Sequence, residues 1–252
     1  MSIRFEIDNQ EVKAEPGEML LDVARRNGIE IPSLCHKESL PAIGACRLCL
    51  VEVEQGGQRD LTTSCNYRVE AGMKVWTESA EVQLHRAMNM ELLLARAPRA
   101  PKLKAFAAEL GVSRTRFGPA AYNPLANCIL CELCVRACAK LGNNVLTMVG
   151  RGEKKRVGMA FNEPSDKCKG CAACVAVCPT DCIPIKDTAT ERTIWGQKLE
   201  FALCKNCGQP VMTKRQQASA IKGKGLPEDY YDTCESCKQA ATSERFAEVV
   251  IW

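Results

Sequence analysis

Apolar and polar positions alternate from the start of the chain. Ile3, Phe5 and Ile7 are separated by polar residues, the period of a half-buried strand, and Val12 and Ala14 continue it as a return strand after an Asp8-Asn9 turn. Pro16-Gly17 punctuates the chain. The segment GEMLLDVARRNG then sets Leu20, Leu21, Val23 and Ala24 on one helical side, with Gly28 placed to stop the helix. Residues 48–54 (LCLVEVE) alternate as a strand, Gly56-Gly57 reads as a hairpin turn, and residues 73–77 (MKVWT) give a last short strand. The best helix candidate is residues 80–96, where Val82, Leu84, Met88, Leu92 and Leu93 recur at roughly helical spacing before Pro98 and Pro101 end it.

Residues 97–126, with Pro, Gly and a short helix (KLKAFAAEL), read as an arm across a surface. Residues 127–185 contain an internal repeat: CILCELCVRAC at 128–138 aligns with CKGCAACVAVC at 168–178, an offset of 40 residues. Between the copies, TMVGRGEKKRVGMAFN is strand-like around a charged turn. The pattern divides the chain into an α+β unit (1–78), a helix and arm (79–126), a repeat unit (127–185) and a C-terminal module (186–252).

Composition narrows the class. With 46% hydrophobic and 25% charged residues, the chain has enough apolar surface to fold, which excludes a disordered protein. No apolar run approaches the roughly 18–20 residues of a membrane span. The first residues, MSIRFEIDNQEV, lack the basic and apolar stretches of a secretory signal, so a cytoplasmic location is expected. Thiols stay reduced there, and the 17 cysteines therefore point to metal sites before disulfides. The formal charge of +4 counts every thiol as neutral. Sixteen thiolates on four metal centres bring the loaded protein to roughly −4, so the mild basicity does not call for a nucleic-acid partner.

Sixteen cysteines fall into fours, leaving Cys182 as a core thiol or a substitute ligand. In the repeat, C-x2-C-x2-C-x3-C occurs twice, and three thiolates at this spacing wrap one side of a four-iron cube. In bacterial two-centre ferredoxins the fourth crosses to the other centre. That assigns one [4Fe–4S] to Cys128, Cys131, Cys134 and Cys178, and the second to Cys168, Cys171, Cys174 and Cys138. Pro179 follows Cys178 as in that pattern, whereas Ala139 follows Cys138. The first group, Cys35, Cys46, Cys49 and Cys65, has the logic of a plant-type [2Fe–2S] site with a longer first gap. Gly44 allows close backbone approach, Arg47 reads as a solvated charge, and His36 as a hydrogen-bonding neighbour. The expected fold is α+β: a plant-type, β-grasp-like [2Fe–2S] ferredoxin domain, a bacterial two-[4Fe–4S] ferredoxin-like domain, and a small four-cysteine module.

The last group, Cys204, Cys207, Cys234 and Cys237, is two CxxC pairs. It suits one structural Zn2+, with a third [4Fe–4S], rubredoxin-type iron or no metal as alternatives. Lys205, Lys214, Arg215, Lys222 and Lys224 lie nearby, with no aromatic platform for nucleic acid.

The stretches IPSLCHKESLPAIGACRLCLVEVE, TSCNYRVEAGMKVWTES and ELLLA resemble the N-terminal region shared by the large iron–sulfur subunit of respiratory complex I, the large subunit of iron-only hydrogenases, and the small diaphorase subunit of bidirectional NAD-linked hydrogenases. The repeat resembles the next part of those proteins, so the likeness covers residues 1–185. In those relatives ELLLA usually precedes a His and three cysteines that hold an extra four-iron centre. Here ELLLARAPRAPKLKAFAAELG has neither, and His85 reads as a surface residue. A chain ending at Trp252 is short for a catalytic domain, and the diaphorase subunit is the nearest in size.

The resemblance implies an electron-transfer subunit whose partners are an NADH-binding flavoprotein, a thioredoxin-like [2Fe–2S] subunit, and a hydrogenase or formate dehydrogenase catalytic subunit. No catalytic residues emerge: there is no GxGxxG after a strand, P-loop or HExxH, and only two histidines. The alternatives are a free multi-cluster ferredoxin and a zinc-stapled nucleic-acid-binding protein.

Overall fold

The alternation at the N-terminus becomes β1 (Ile3–Ile7) and β2 (Gln10–Ala14), an antiparallel hairpin in the computed structural model, which describes residues 2–224 and 227–249. Asp8 and Asn9 both take positive φ, 48° and 66°, as a two-residue turn needs if it is to match the twist of its strands. β3 (Leu50–Gln55) and β4 (Gln58–Thr63) form a second hairpin around Gly56-Gly57, and β5 (Lys74–Trp76) lies between the two. The strand order is β2-β1-β5-β3-β4, with β5 parallel to β1 and antiparallel to β3. The helix α1 (Leu20–Arg26) lays Leu20, Leu21, Val23 and Ala24 onto Phe5, Ile7, Val51 and Val75. Full burial of each large aliphatic chain there contributes about 1.5–3 kcal/mol. The Asp8 carboxylate accepts the Thr77 N–H at 2.7 Å and its hydroxyl at 2.5 Å, fixing the hairpin tip to the chain after β5.

A second core joins this domain to the rest. α2 (Ala80–Arg96) starts at Ser79, whose hydroxyl accepts the Val82 N–H. The face it buries is Val82, Arg86, Met90 and Leu94, at i, i+4, i+8 and i+12. Arg86 is accommodated by Glu78 at 2.6 Å and the Leu50 carbonyl at 2.8 Å. Leu84, Met88 and Leu92, part of the apolar periodicity in the sequence, lie on the other side and are 58%, 39% and 46% exposed. The arm also carries core: α3 (Pro101–Glu109) buries Leu103 and Ala107 with Met90, Leu94, Leu48, Ile129 and Leu133.

The repeat follows as α4 (Leu133–Lys140), the hairpin β6 (Leu146–Val149) and β7 (Arg156–Met159), and the short α5 (Ala173–Ala176). The C-terminal residues add β8 (Ile185–Asp187), β9 (Glu191–Ile194), β10 (Gln197–Leu203) and β11 (Pro210–Thr213), an antiparallel sheet in the order β11-β10-β9-β8. They end in α6 (Lys214–Lys224) and α7 (Glu235–Val249). Among the described residues no helix is long and apolar enough to cross a membrane.

Candidate metal centres

Cys35, Cys46, Cys49 and Cys65 are all buried, on the loop after α1, the loop before β3, and the turn that follows β4. The Cys46 N–H donates to Cys35 Sγ and the Leu34 N–H to Cys46 Sγ, each at 3.4 Å. Arg47 reverses the chain between two of the cysteines at φ 57°, with its side chain outside. Gly44, at φ 63°, sits where a Cβ would meet Thr63 Oγ1 at 3.2 Å, so this loop closes tightly on the turn bearing Cys65. The thiols share protons with one another. Hydrogens from Cys46 and Cys65 hold Cys35 down at about 2, and those two thiols are pushed up in turn. His36 is buried, 3.2 Å from Arg25 and 3.4 Å from Asp22, and burial lowers its pKa.

The two copies of the repeat share an unusual backbone. Leu130 and Glu132 flank Cys131 at φ 56° and 59°, and Gly170 and Ala172 flank Cys171 at 66° and 58°. Two left-handed residues around the middle cysteine wind each loop about its sulfurs, at a cost of about 1–2 kcal/mol for each non-glycine. Gly170 is required for space as well, since a Cβ there would lie 2.9 Å from Thr213 Cγ2 and closer still to Leu199 Cδ1.

The fourth cysteines are exchanged. Cys128, Cys131 and Cys134 line one cavity together with Cys178, and Cys182 lines it too. Cys168, Cys171 and Cys174 line another with Cys138. The exchange follows from helix length: Cys134 opens α4 and Cys138 lies one turn further along, beside α5 and the other cavity. Burial pushes Cys131 up to about 12 and raises Cys134, Cys168 and Cys174 as well. A metal bound there would displace those protons. Donors surround the second cavity. The Trp195 indole N–H reaches Cys174 Sγ at 3.5 Å, the Val145 N–H reaches Cys138 Sγ at 3.3 Å, and the Asn143 amide is 3.9 Å from Cys171 Sγ.

Between the first centre and the repeat stands Arg136 on α4. It donates to the carbonyls of Cys35 at 2.7 Å, Pro41 at 2.6 Å and Cys131 at 3.0 Å. The sequence pattern singles out neither Arg136 nor Trp195, because nothing in VRAC or TIWG marks a residue that contacts a distant loop.

Cys204 directly follows β10, Cys207 comes next in a turn with Gly208 at φ 72°, and Cys234 and Cys237 lie at the start of α7. Their four sulfurs all lie within 4.8 Å of one another, and Cys207 Sγ is 3.6 Å from Cys234 Sγ. Among the described residues they form the one group of three or more candidate ligands drawn together this tightly. The Cys234 N–H, 3.3 Å away, lowers Cys204 to about 6, while shared hydrogens raise Cys237 to about 12. Nearby, Lys214 is paired with Glu200, and Arg215 with Gln197 and Asp166, while Lys205 and Lys222 are exposed. The Lys224 side chain and Trp252 lie outside the described residues. His85 is at the surface, 2.9 Å from Glu81.

Residues 1–80 match a family of 2Fe-2S iron-sulfur cluster binding domains, and residues 127–182 a 4Fe-4S dicluster domain. A chain in a crystal structure of an NAD+-reducing [NiFe]-hydrogenase in the H2-reduced state is 31% identical, with a TM-score of 0.55 over 63% of this chain and 75% of that one. This chain belongs to the iron–sulfur subunits of NAD(P)-linked oxidoreductase and hydrogenase complexes. Curated relatives of the iron–sulfur subunit include the NADPH-Fe(3+) oxidoreductase subunit alpha of Geobacter sulfurreducens, 30% identical over 81% of this chain and 26% of the relative. An NADH-quinone oxidoreductase component of Rhizobium meliloti is 29% identical over 82% and 27%. The NADP-reducing hydrogenase subunit HndD of Solidesulfovibrio fructosivorans is 32% identical over 69% and 34%. The iron–sulfur subunit thus spans about a quarter to a third of the length of these relatives.

Proposed function

We propose that the chain conducts single electrons between a flavin- and NAD(H)-binding partner subunit and a catalytic subunit of the hydrogenase or formate dehydrogenase type, with a thioredoxin-like [2Fe–2S] subunit as a further partner. Cys35, Cys46, Cys49 and Cys65 would hold a [2Fe–2S] centre. Cys128, Cys131, Cys134 and Cys178 would hold one [4Fe–4S], and Cys168, Cys171, Cys174 and Cys138 a second. Iron–sulfur centres, when bound, supply one-electron chemistry at potentials set by burial and by hydrogen bonds to sulfur.

The observation that carries the reading is Arg136. One guanidinium binds the carbonyl of Cys35 in the first group and that of Cys131 in the second. It reaches back 101 residues to Cys35 and thereby holds that loop against the Cys131 loop. The second and third groups are joined by α4, which carries a cysteine of each. The remaining work of the chain is to exclude water from the sulfurs and to direct N–H groups at them, as Leu34, Val145 and Trp195 do.

For the fourth group, one Zn2+ is the better occupant. A zinc–thiolate bond of about 2.3 Å sets the sulfurs of a tetrahedron about 3.8 Å apart. The 4.8 Å limit on the Cys204, Cys207, Cys234 and Cys237 sulfurs is close to that, whereas a cube of four irons spreads its outer thiolates wider. Anaerobic purification followed by metal and acid-labile sulfide analysis tests both parts. About ten irons, ten sulfides and one zinc per chain are expected. About fourteen irons without zinc would replace the zinc by a fourth centre, and zinc without sulfide would overturn electron transfer.

A further inference from the structure

Cys182 lies outside the four quartets, half-buried against the core that holds Cys128 and Cys134. Its sulfur lines the cavity shared by Cys128, Cys131, Cys134 and Cys178. It is 3.5 Å from Cys178 Sγ, in van der Waals contact, and its own N–H donates to Cys178 Sγ at 3.4 Å. Five sulfurs therefore converge where four irons would take four.

A tight turn aims Cys182 inward. Asp181 takes the left-handed conformation at φ 49°, doubling the chain back after Cys178. Its carboxylate is held by Lys102 of α3 at 2.8 Å, so the turn is tied to a separate helix. A residue four positions after Cys178 is thereby returned to the same cavity.

We propose that Cys182 is a second, interchangeable ligand for the iron corner assigned to Cys178. The inference rests on the [4Fe–4S] reading above. In the exchange, the bond from iron to Cys178 Sγ breaks and one from iron to Cys182 Sγ forms, while the Cys182 thiol proton passes to Cys178. No electron is gained or lost, and no oxidant is required. The contact between the two sulfurs means that the swap needs only a side-chain displacement, so the site keeps its fourth thiolate when either sulfur is lost.

The test uses the whole chain, purified anaerobically as wild type, Cys178→Ala, Cys182→Ala and the double variant, with iron and sulfide analysis and EPR of the dithionite-reduced protein. The Cys178→Ala variant is expected to keep the full wild-type iron content with shifted g-values, and the double variant to lose between one and four irons per chain. Equal iron loss in Cys178→Ala and the double variant, each retaining the [2Fe–2S] signal as evidence of folding, would overturn the inference. Should Cys178→Ala not fold, Cys182→Ala decides: its visible absorption is expected to bleach severalfold faster than wild type in a chelator, and an unchanged rate would overturn the inference. Wild-type protein lacking sulfide would instead sink the electron-transfer reading itself.

Discussion

At the scale of single residues, a sulfur of the proposed second [4Fe–4S] site receives a donor that the sequence does not advertise. Trp195 turns the β9–β10 hairpin at φ 52° and delivers its indole N–H to Cys174 Sγ at 3.5 Å. A donor to a cysteine sulfur stabilises the more negative, reduced state. Trp195→Phe keeps the ring and removes the donor, and the loss of about 1 kcal/mol should lower the potential of that centre by about 40 mV. An EPR-monitored redox titration reads the shift, and an unchanged potential would remove Trp195 from the account. The C-x2-C-x2-C runs are legible in the sequence, because cysteines at fixed spacing are a local pattern. The donors to those sulfurs are not, since Trp195 and Asn143 reach them only after the chain has folded across 21 and 28 residues.

At the scale of elements, alternation marks β1, β2, β3 and β5, and Asp8-Asn9 and Gly56-Gly57 mark their turns. The strand β4 is not legible, because QRDLTT lies at a sheet edge and carries no apolar alternation, with Thr63 its one buried residue. α2 is legible as a helix but its face is not: the buried stripe includes Arg86, and Leu84, Met88 and Leu92 point outward. An apolar stripe of this kind suits a chain that docks onto other subunits. α7 shows the opposite economy. Its residues 239–246 are exposed, and its start is held by Cys234, Cys237 and the Lys238 ammonium over the Tyr230 ring at 3.7 Å. With so little burial, the metal proposed for the four cysteines would be what attaches the helix. Replacing Cys234 and Cys237 by Ser should abolish amide-exchange protection over residues 235–249 and leave residues 2–110 unchanged. Retained protection would show that α7 docks without metal.

At the scale of the whole molecule, the three sheets of the described residues are joined less by covalent linkers than by shared cores that contain the grouped cysteines. Cys35 and Cys46 lie in one core with Met90 of α2, Leu103 of α3 and Cys131, and Cys128, Cys134 and Cys174 lie in another with Ile194 and Leu199. The 40-residue repeat is readable, and its two copies take the same left-handed backbone around Cys131 and Cys171. The packing of the arm is not, because KLKAFAAEL gives no sign of which surface Leu103 will meet. Nor does the sequence pattern announce the sheet β8-β11, although β10 leads directly into Cys204. Arg136 sets the Cys35 loop beside the Cys131 loop, and the cavity lined by Cys138, Cys168, Cys171 and Cys174 lies beyond α4. The central claim is that three one-electron centres occupy this connected path. Spin quantitation by EPR on the fully reduced chain tests it most directly. About three spins per chain are predicted, one with the relaxation of a [2Fe–2S] centre and two with that of [4Fe–4S] centres. A fully loaded, reduced protein without those signals would contradict it.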